Sequence, residues 1–107
     1  MTSPQGALIS EFVNYYNAEE LPLIVAGDVD AEAEESGRRL VRALGNRAEE
    51  AVALLLRVVE DREGPLLEEL DRRTMYAWNG TEEDWQLFRR LVQGIAASVR
   101  HELAAPA

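Results

Sequence analysis

Cysteine and lysine are both absent from this chain of 107 residues, and histidine occurs once. Without cysteine the chain forms no disulfide, no thiol nucleophile and no zinc–thiolate or iron–sulfur site. The lack of disulfides is typical of a reducing compartment, so we expect a cytoplasmic protein. No apolar run approaches the ~20 residues of a membrane helix. The opening stretch MTSPQGALISEF has neither the basic segment nor the apolar core of a signal peptide.

Positive charge is scarce as well. Eleven arginines stand against twenty acidic residues, which gives a net charge of −9. Nucleic acids and anionic membranes both attract basic surfaces, so this acidity argues against either as a partner. It favours basic protein partners instead. With 47% hydrophobic residues, the composition predicts one folded helical domain over 1–107, with a frayed tail at 104–107.

Recognisable catalytic and metal-binding motifs are missing. The glycines are spread singly, which rules out a glycine-rich phosphate loop. His101 has Ser98 three residues before it, where a helical di-iron site would need glutamate. We therefore predict no catalytic residue, no metal ligand and no cofactor, and expect a protein that is not an enzyme. Acid–base chemistry by carboxylates alone remains the enzymatic alternative, because carboxylates are plentiful.

Hydrophobic periodicity predicts helices throughout. The expected fold is an all-α bundle of five or six short helices, and the segment at about 46–63 is its central helix because it is apolar nearly all round. Asn46 is expected to cap that helix. Capping residues, prolines and glycines place the others at 4–18, 21–27, 30–44, 65–79 and from Thr81 onward. The stretch 21–27 could also form a buried strand, although no second strand is available to pair with it.

The segment GDVDAEAEESGRR, at 27–39, carries acids first and arginines last. A calcium loop starting at Asp28 would need glycine at its sixth position and glutamate at its twelfth, where this sequence has Ala33 and Arg39. The order of charges instead predicts a helix start, because the helix dipole favours acids in the first turn and cations in the last. Ala33 and Gly37 in its apolar stripe predict a close approach to a neighbouring helix.

This charged helix is the first candidate partner-binding surface. An acidic end and a basic end could pair with a second copy or with a related domain. The alternative is a solvated face whose charges form i,i+4 ion pairs, such as Glu34–Arg38, Glu35–Arg39, Glu68–Arg72 and Glu69–Arg73. The candidate contact residues are Asp28, Asp30, Glu34, Arg38, Arg39 and Arg42.

The segment YAWNGTEEDW, at 76–85, is the second candidate. Aromatic residues dominate interface hot spots, and the adjacent acids favour a basic partner. Its candidate contact residues are Tyr76, Trp78, Glu82 and Glu83. The alternative is that Trp78 and Trp85 close the end of the bundle around the turn at Asn79 and Gly80.

EESGRR at 34–39 and EELDRR at 68–73 resemble each other at an offset of 34 residues. Either an old duplication of a helical hairpin or a shared salt-bridge pattern explains the likeness, and the sequence leaves both open.

These features favour a non-enzymatic protein–protein interaction domain, an adaptor or regulator that acts through a charge-complementary helical surface. Its expected partner is either a second copy or a related helical domain, which would make it a homo-oligomer, or a basic protein. The second hypothesis is an acidic inhibitor of a basic partner, such as an antitoxin, an immunity protein or a nucleic-acid mimic. The interspersed arginines argue against a strict DNA mimic, which would need a nearly unbroken negative face.

Overall fold

The structure is a computed structural model that describes residues 2–105, and Met1, Pro106 and Ala107 lie outside it. Two of the four residues of the predicted frayed tail are therefore not described. Within this range the backbone forms helices and no strand, which confirms the predicted all-α fold. The helices are α1 (Pro4–Tyr15), α2 (Leu21–Ala26), α3 (Val29–Leu44), α4 (Ala48–Asp61), α5 (Pro65–Thr74) and α6 (Glu82–Ala104), with a 3-10 turn at Gly45–Arg47 between α3 and α4.

Side-chain caps begin three of the helices, because the first amides of a helix lack backbone acceptors. Ser3 Oγ accepts a hydrogen bond from the Gly6 amide at 3.0 Å, and Asp28 Oδ1 accepts one from the Ala31 amide at 3.0 Å. Thr81 Oγ1 accepts one from the amide three residues on, at 3.1 Å. The predicted starts of α1, α3 and α6 are thereby confirmed to within one residue.

Three predicted boundaries are wrong. The first helix ends at Tyr15 rather than 18 because the Asn17 side chain forms a turn there. Its amide group donates to the Val13 carbonyl at 2.8 Å, and its side-chain oxygen accepts from the backbone amides of Glu19 and Glu20. Asn46 does not cap α4; it lies in the 3-10 turn, and α4 starts at Ala48 without a side-chain cap. The fifth helix ends at Thr74 rather than 79, because Met75 adopts a left-handed conformation with φ 59°.

The core lies between α4 and its neighbours α1, α3 and α6. Helix α4 contributes Val52, Leu55 and Val58 to it, in agreement with its predicted central place. An aromatic group fills the end of the core near Phe12, whose ring lies 5.8 Å from that of Trp78 and 5.9 Å from that of Phe88. No helix between Thr2 and Ala105 combines the length and the apolarity needed to cross a membrane.

Helices α3 and α6 run parallel and unusually close together. Asp30 pairs with Arg90 and, further along both helices, Arg38 pairs with Glu102, so residue numbers rise together along the two helices. Between these pairs, Gly37 lies against Ser98 with no room for a Cβ atom, and Gly94 is equally tight against Ala33. Ser98 Oγ donates to the Glu34 carbonyl across the contact, at 2.6 Å. The close approach predicted from Ala33 and Gly37 is confirmed.

Candidate functional site

The charged face of α3 is largely neutralised within the chain. The Arg90 guanidinium on α6 donates to both carboxylate oxygens of Asp30, at 2.9 and 3.0 Å. This hydrogen bonding lowers the pKa of the Asp30 carboxyl. Asp28 is used as the helix cap. At the acidic end of α3, Asp30 is therefore paired with a cation of its own chain, whereas Asp28 forms a cap bond but no ion pair among residues 2–105.

The basic end of α3 is paired in the same way. Arg38 binds Glu34 as predicted, and it also binds Glu35 at 3.0 Å and Glu102 of α6 at 3.5 Å. Arg42 binds Glu35 at 3.1 Å. Hydrogen bonds from these two arginines, first Arg38 and then Arg42, lower the pKa of the Glu35 carboxyl. Much of the charge order of the sequence is thus explained by ion pairs within α3 and between α3 and α6.

Arg39 is a structural residue of the α1–α3 interface. Its guanidinium donates to both oxygens of Glu11, and the closest contact measures 2.7 Å. The predicted pair Glu35–Arg39 is wrong, because Arg39 points toward α1 rather than along its own helix. Glu11 is only 7% exposed, and Arg39 is 21% exposed at its side chain.

A buried chain of hydrogen bonds continues from Glu11. The Ser36 hydroxyl lies 2.7 Å from a Glu11 carboxylate oxygen and 2.6 Å from the Tyr16 hydroxyl. Burial raises the pKa of Tyr16 to about 12. Within residues 2–105 every buried side-chain polar atom has a hydrogen-bond partner. The network therefore joins α1 to α3, and none of its buried polar atoms lacks a hydrogen-bond partner that a ligand could supply.

The aromatic corner at 76–85 divides into core and surface. Trp78 is fully buried, with its indole N–H donating to Thr74 Oγ1 at 3.2 Å, and Trp85 is also buried. Trp78 offers no exposed surface to a partner. Tyr76 is half-buried and donates its hydroxyl hydrogen to Asp84. Burial, and then this carboxylate, raise the pKa of Tyr76 to about 12.

The two acids predicted at this corner differ in their surroundings. Glu82 binds Arg62 at 2.7 Å, and Arg62 in turn lies over the Trp85 ring, 5.0 Å from its centroid. Glu83 is exposed. The contact roles predicted for the residues of the charged face and of the corner stay predictions.

The sequence reasoning missed an apolar surface around α2. Three of its large apolar side chains are exposed: Leu23 by 69%, Val25 by 54% and Met75, at the end of α5, by 83%. Pro22 and Ala26 are exposed beside them, and Tyr76 borders them. We call these six residues the α2 surface. Scattered apolar side chains are ordinary on protein surfaces, but a contiguous group is typical of a contact site.

Two open clefts flank α2. One, of about 360 Å³, is lined by Tyr76 together with Ala18, Leu21, Pro22, Val25 and Ala26. The other, of about 330 Å³, is lined by Leu23 and Ile24 together with Tyr15, Glu20, Gly27, Asp28, Glu32 and Arg39. The Ala18 amide donates to the Thr74 carbonyl at 2.9 Å, and this bond ties the end of α5, directly before Met75, to the segment that leads into α2.

The shortness of α2 explains why it leaves apolar side chains outside. Only Leu21 and Ile24, three positions apart, are buried against the core. The remaining side chains of LPLIVA project away from this single contact stripe, because a helix can bury only the stripe that faces its neighbour. The short length of this apolar segment was the one hint in the sequence, but length alone does not tell which of its side chains the fold leaves exposed.

The part of the chain that the structure describes holds no cluster of three or more acidic or histidine side chains that could bind a metal ion. No protein-family model matches the chain, and no significant match was found among curated proteins or among solved structures.

Proposed function

We propose that this chain is a non-enzymatic protein–protein interaction domain, an adaptor or regulator whose contact surface is the α2 surface. The exposure of Leu23 and Val25 on α2, and of Met75 directly after the Thr74 carbonyl that is hydrogen-bonded to Ala18, carries this proposal. Exposed apolar area costs free energy in water, and a partner that covers it recovers about 25 cal/mol per Å².

The charged face of α3 is a weaker candidate for the contact surface. An exposed arginine that already pairs with one or two carboxylates of its own chain gains little from exchanging them for those of a partner. Homotypic assembly through Arg38 and Arg42 therefore remains the second candidate, favoured by the high exposure of Arg42.

Sedimentation velocity and affinity capture separate these two candidates. The double variant L23S/V25S removes apolar area from α2, and the matched variant R38E/R42E reverses charge on α3. If the proposal is right, a partner captured from cell extract by the parent chain is lost with L23S/V25S and kept with R38E/R42E. Purification of that partner and titration calorimetry then give its affinity.

The opposite pattern would contradict the assignment of the contact surface. A salt-sensitive oligomer of the chain alone that R38E/R42E dissociates, and that L23S/V25S leaves intact, would move the contact to α3. Leu23, Val25 and Arg42 are exposed and Arg38 is half-buried, so circular dichroism should show the parental fold in each variant.

A further inference from the structure

We propose that the partner of the α2 surface is a basic amphipathic segment, in which apolar side chains that cover Leu23, Val25 and Met75 are flanked by lysine or arginine. This inference rests on the proposed function and specifies its partner. It depends on the position and the pairing of the acids that surround the α2 surface.

The cleft on the Leu23 side is acidic. Glu20, Asp28 and Glu32 line it together with Tyr15. None of these three acids forms an ion pair with any residue between Thr2 and Ala105, in contrast to Asp30, Glu34 and Glu35 on α3. Arg39 also lines this cleft, but its guanidinium is committed to Glu11 and lies over the Tyr15 ring, 3.6 Å from its centroid.

The cleft on the Val25 side is bordered by acids as well. Tyr76 lines it and holds Asp84 through its hydroxyl group, and Glu83 lies close by. Neither acid forms an ion pair within the described range. The exposed apolar side chains of α2 thus lie between two groups of carboxylates that form no ion pair among residues 2–105.

A second copy of the chain fits this arrangement poorly. A two-fold contact places the same patch of both copies face to face, so Glu20, Asp28 and Glu32 of one copy would approach those of the other. Like charges brought together at an interface cost free energy, whereas lysine or arginine beside an apolar anchor would gain it. Charge complementarity therefore selects a basic segment over self-association.

A displayed peptide library tests this directly. Its members carry fixed apolar positions at helical spacing and randomised flanking positions, and the immobilised parent chain selects among them. We expect enrichment of lysine and arginine in the flanks, binding that weakens as sodium chloride is raised, and methyl shifts at Leu23, Val25 and Met75 in NMR spectra. L23S should weaken a selected peptide about tenfold or more.

Met75→Asn is a second binding variant to set beside L23S. Asparagine tolerates the left-handed conformation at this position, so the substitution removes the apolar side chain without harming the fold. It should weaken binding while stability is kept. E20Q/E32Q should lose affinity selectively for the basic peptides and reduce the salt dependence of binding, while Asp28, Glu83 and Asp84 keep part of it.

Three results would overturn the inference: enrichment of neutral or acidic flanks, no enrichment above that obtained with L23S/V25S, or NMR shifts confined to α3 and α6. A dimer that strengthens with salt and is lost with L23S would show that the occupant is a second copy. In that last case the α2 surface remains the contact site, so the proposed function survives the failure of this inference.

Discussion

Gly37 and Ser98 touch so closely that a Cβ atom on Gly37 would overlap the Cβ of Ser98. In an exposed helix, Gly→Ala is stabilising by about 0.5–1 kcal/mol, because glycine loses more backbone entropy on folding. Here we expect G37A to lower the free energy of unfolding by about 1–3 kcal/mol instead, as overpacking does. Urea unfolding followed by circular dichroism measures the change.

The double variant G37A/S98G is the control for that prediction. Removing the Ser98 side chain restores the space, so G37A should cost less in the S98G background than in the parent chain, although S98G alone loses the bond to the Glu34 carbonyl. Equal costs in both backgrounds would mean that the contact is not the cause.

Arg39 and Arg38 are neighbours in sequence with unequal roles in stability. R39A leaves the buried Glu11 carboxylate without its cation, and we expect a loss of roughly 2–3 kcal/mol, since breaking fully buried pairs costs about 3–5 kcal/mol. R38A removes only exposed ion pairs, which water and salt screen, so we expect it to destabilise the fold much less than R39A does. Thermal or urea unfolding of the two variants checks this. Similar losses would show that Glu11 finds another partner or enough water. Arg39 is accordingly unsuitable for any charge-reversal test of the surface.

Met75 combines a left-handed backbone with a side chain that lies in water. Glycine at this position after a helix avoids the steric cost of the conformation. We expect M75G to raise the free energy of unfolding by about 1 kcal/mol, and M75A, which keeps a Cβ atom, to leave it nearly unchanged. A stabilising M75G that also weakens partner binding would show that methionine is retained here for contact. A destabilising M75G would show that the side chain supports the fold.

The stability of the fold should decrease at alkaline pH. Tyr16 and Tyr76 have folded-state pKa values of about 12, above the usual 10.0. Between these values the unfolded chain releases phenolic protons that the folded chain retains, so stability is complete below about pH 10 and falls toward pH 12. Urea unfolding across this range measures the slope. Y16F and Y76F should each flatten it, and a parental slope in both variants would contradict the assignment.

Local signals predicted the ends of several elements. The caps at Ser3 and Thr81 could be predicted from the sequence, because the amide that each side chain binds lies only three residues further along the chain. The partners of Arg39 and Asp30 could not be predicted, because Glu11 lies 28 residues from the first and Arg90 lies 60 residues from the second. The proximity of such residues depends on how the helices pack.

The α2 surface escaped prediction for a different reason. Its composition is that of a buried segment, and exposure depends on how many neighbours the finished fold provides. The end of α5 at Met75 was hidden likewise, because methionine gives no sign of the left-handed conformation that glycine or asparagine would have indicated.

The parallel contact between α3 and α6 also constrains when this chain can fold. Asp30 meets Arg90 only after the ends of a 60-residue stretch have come together, and closing so long a loop costs entropy before any packing repays it. A high share of such distant contacts slows folding. On the ribosome, α3 is synthesised before α6, so the face of α3 that carries Ala33 and Gly37 has no helix to pack against until α6 has been made and has left the exit tunnel.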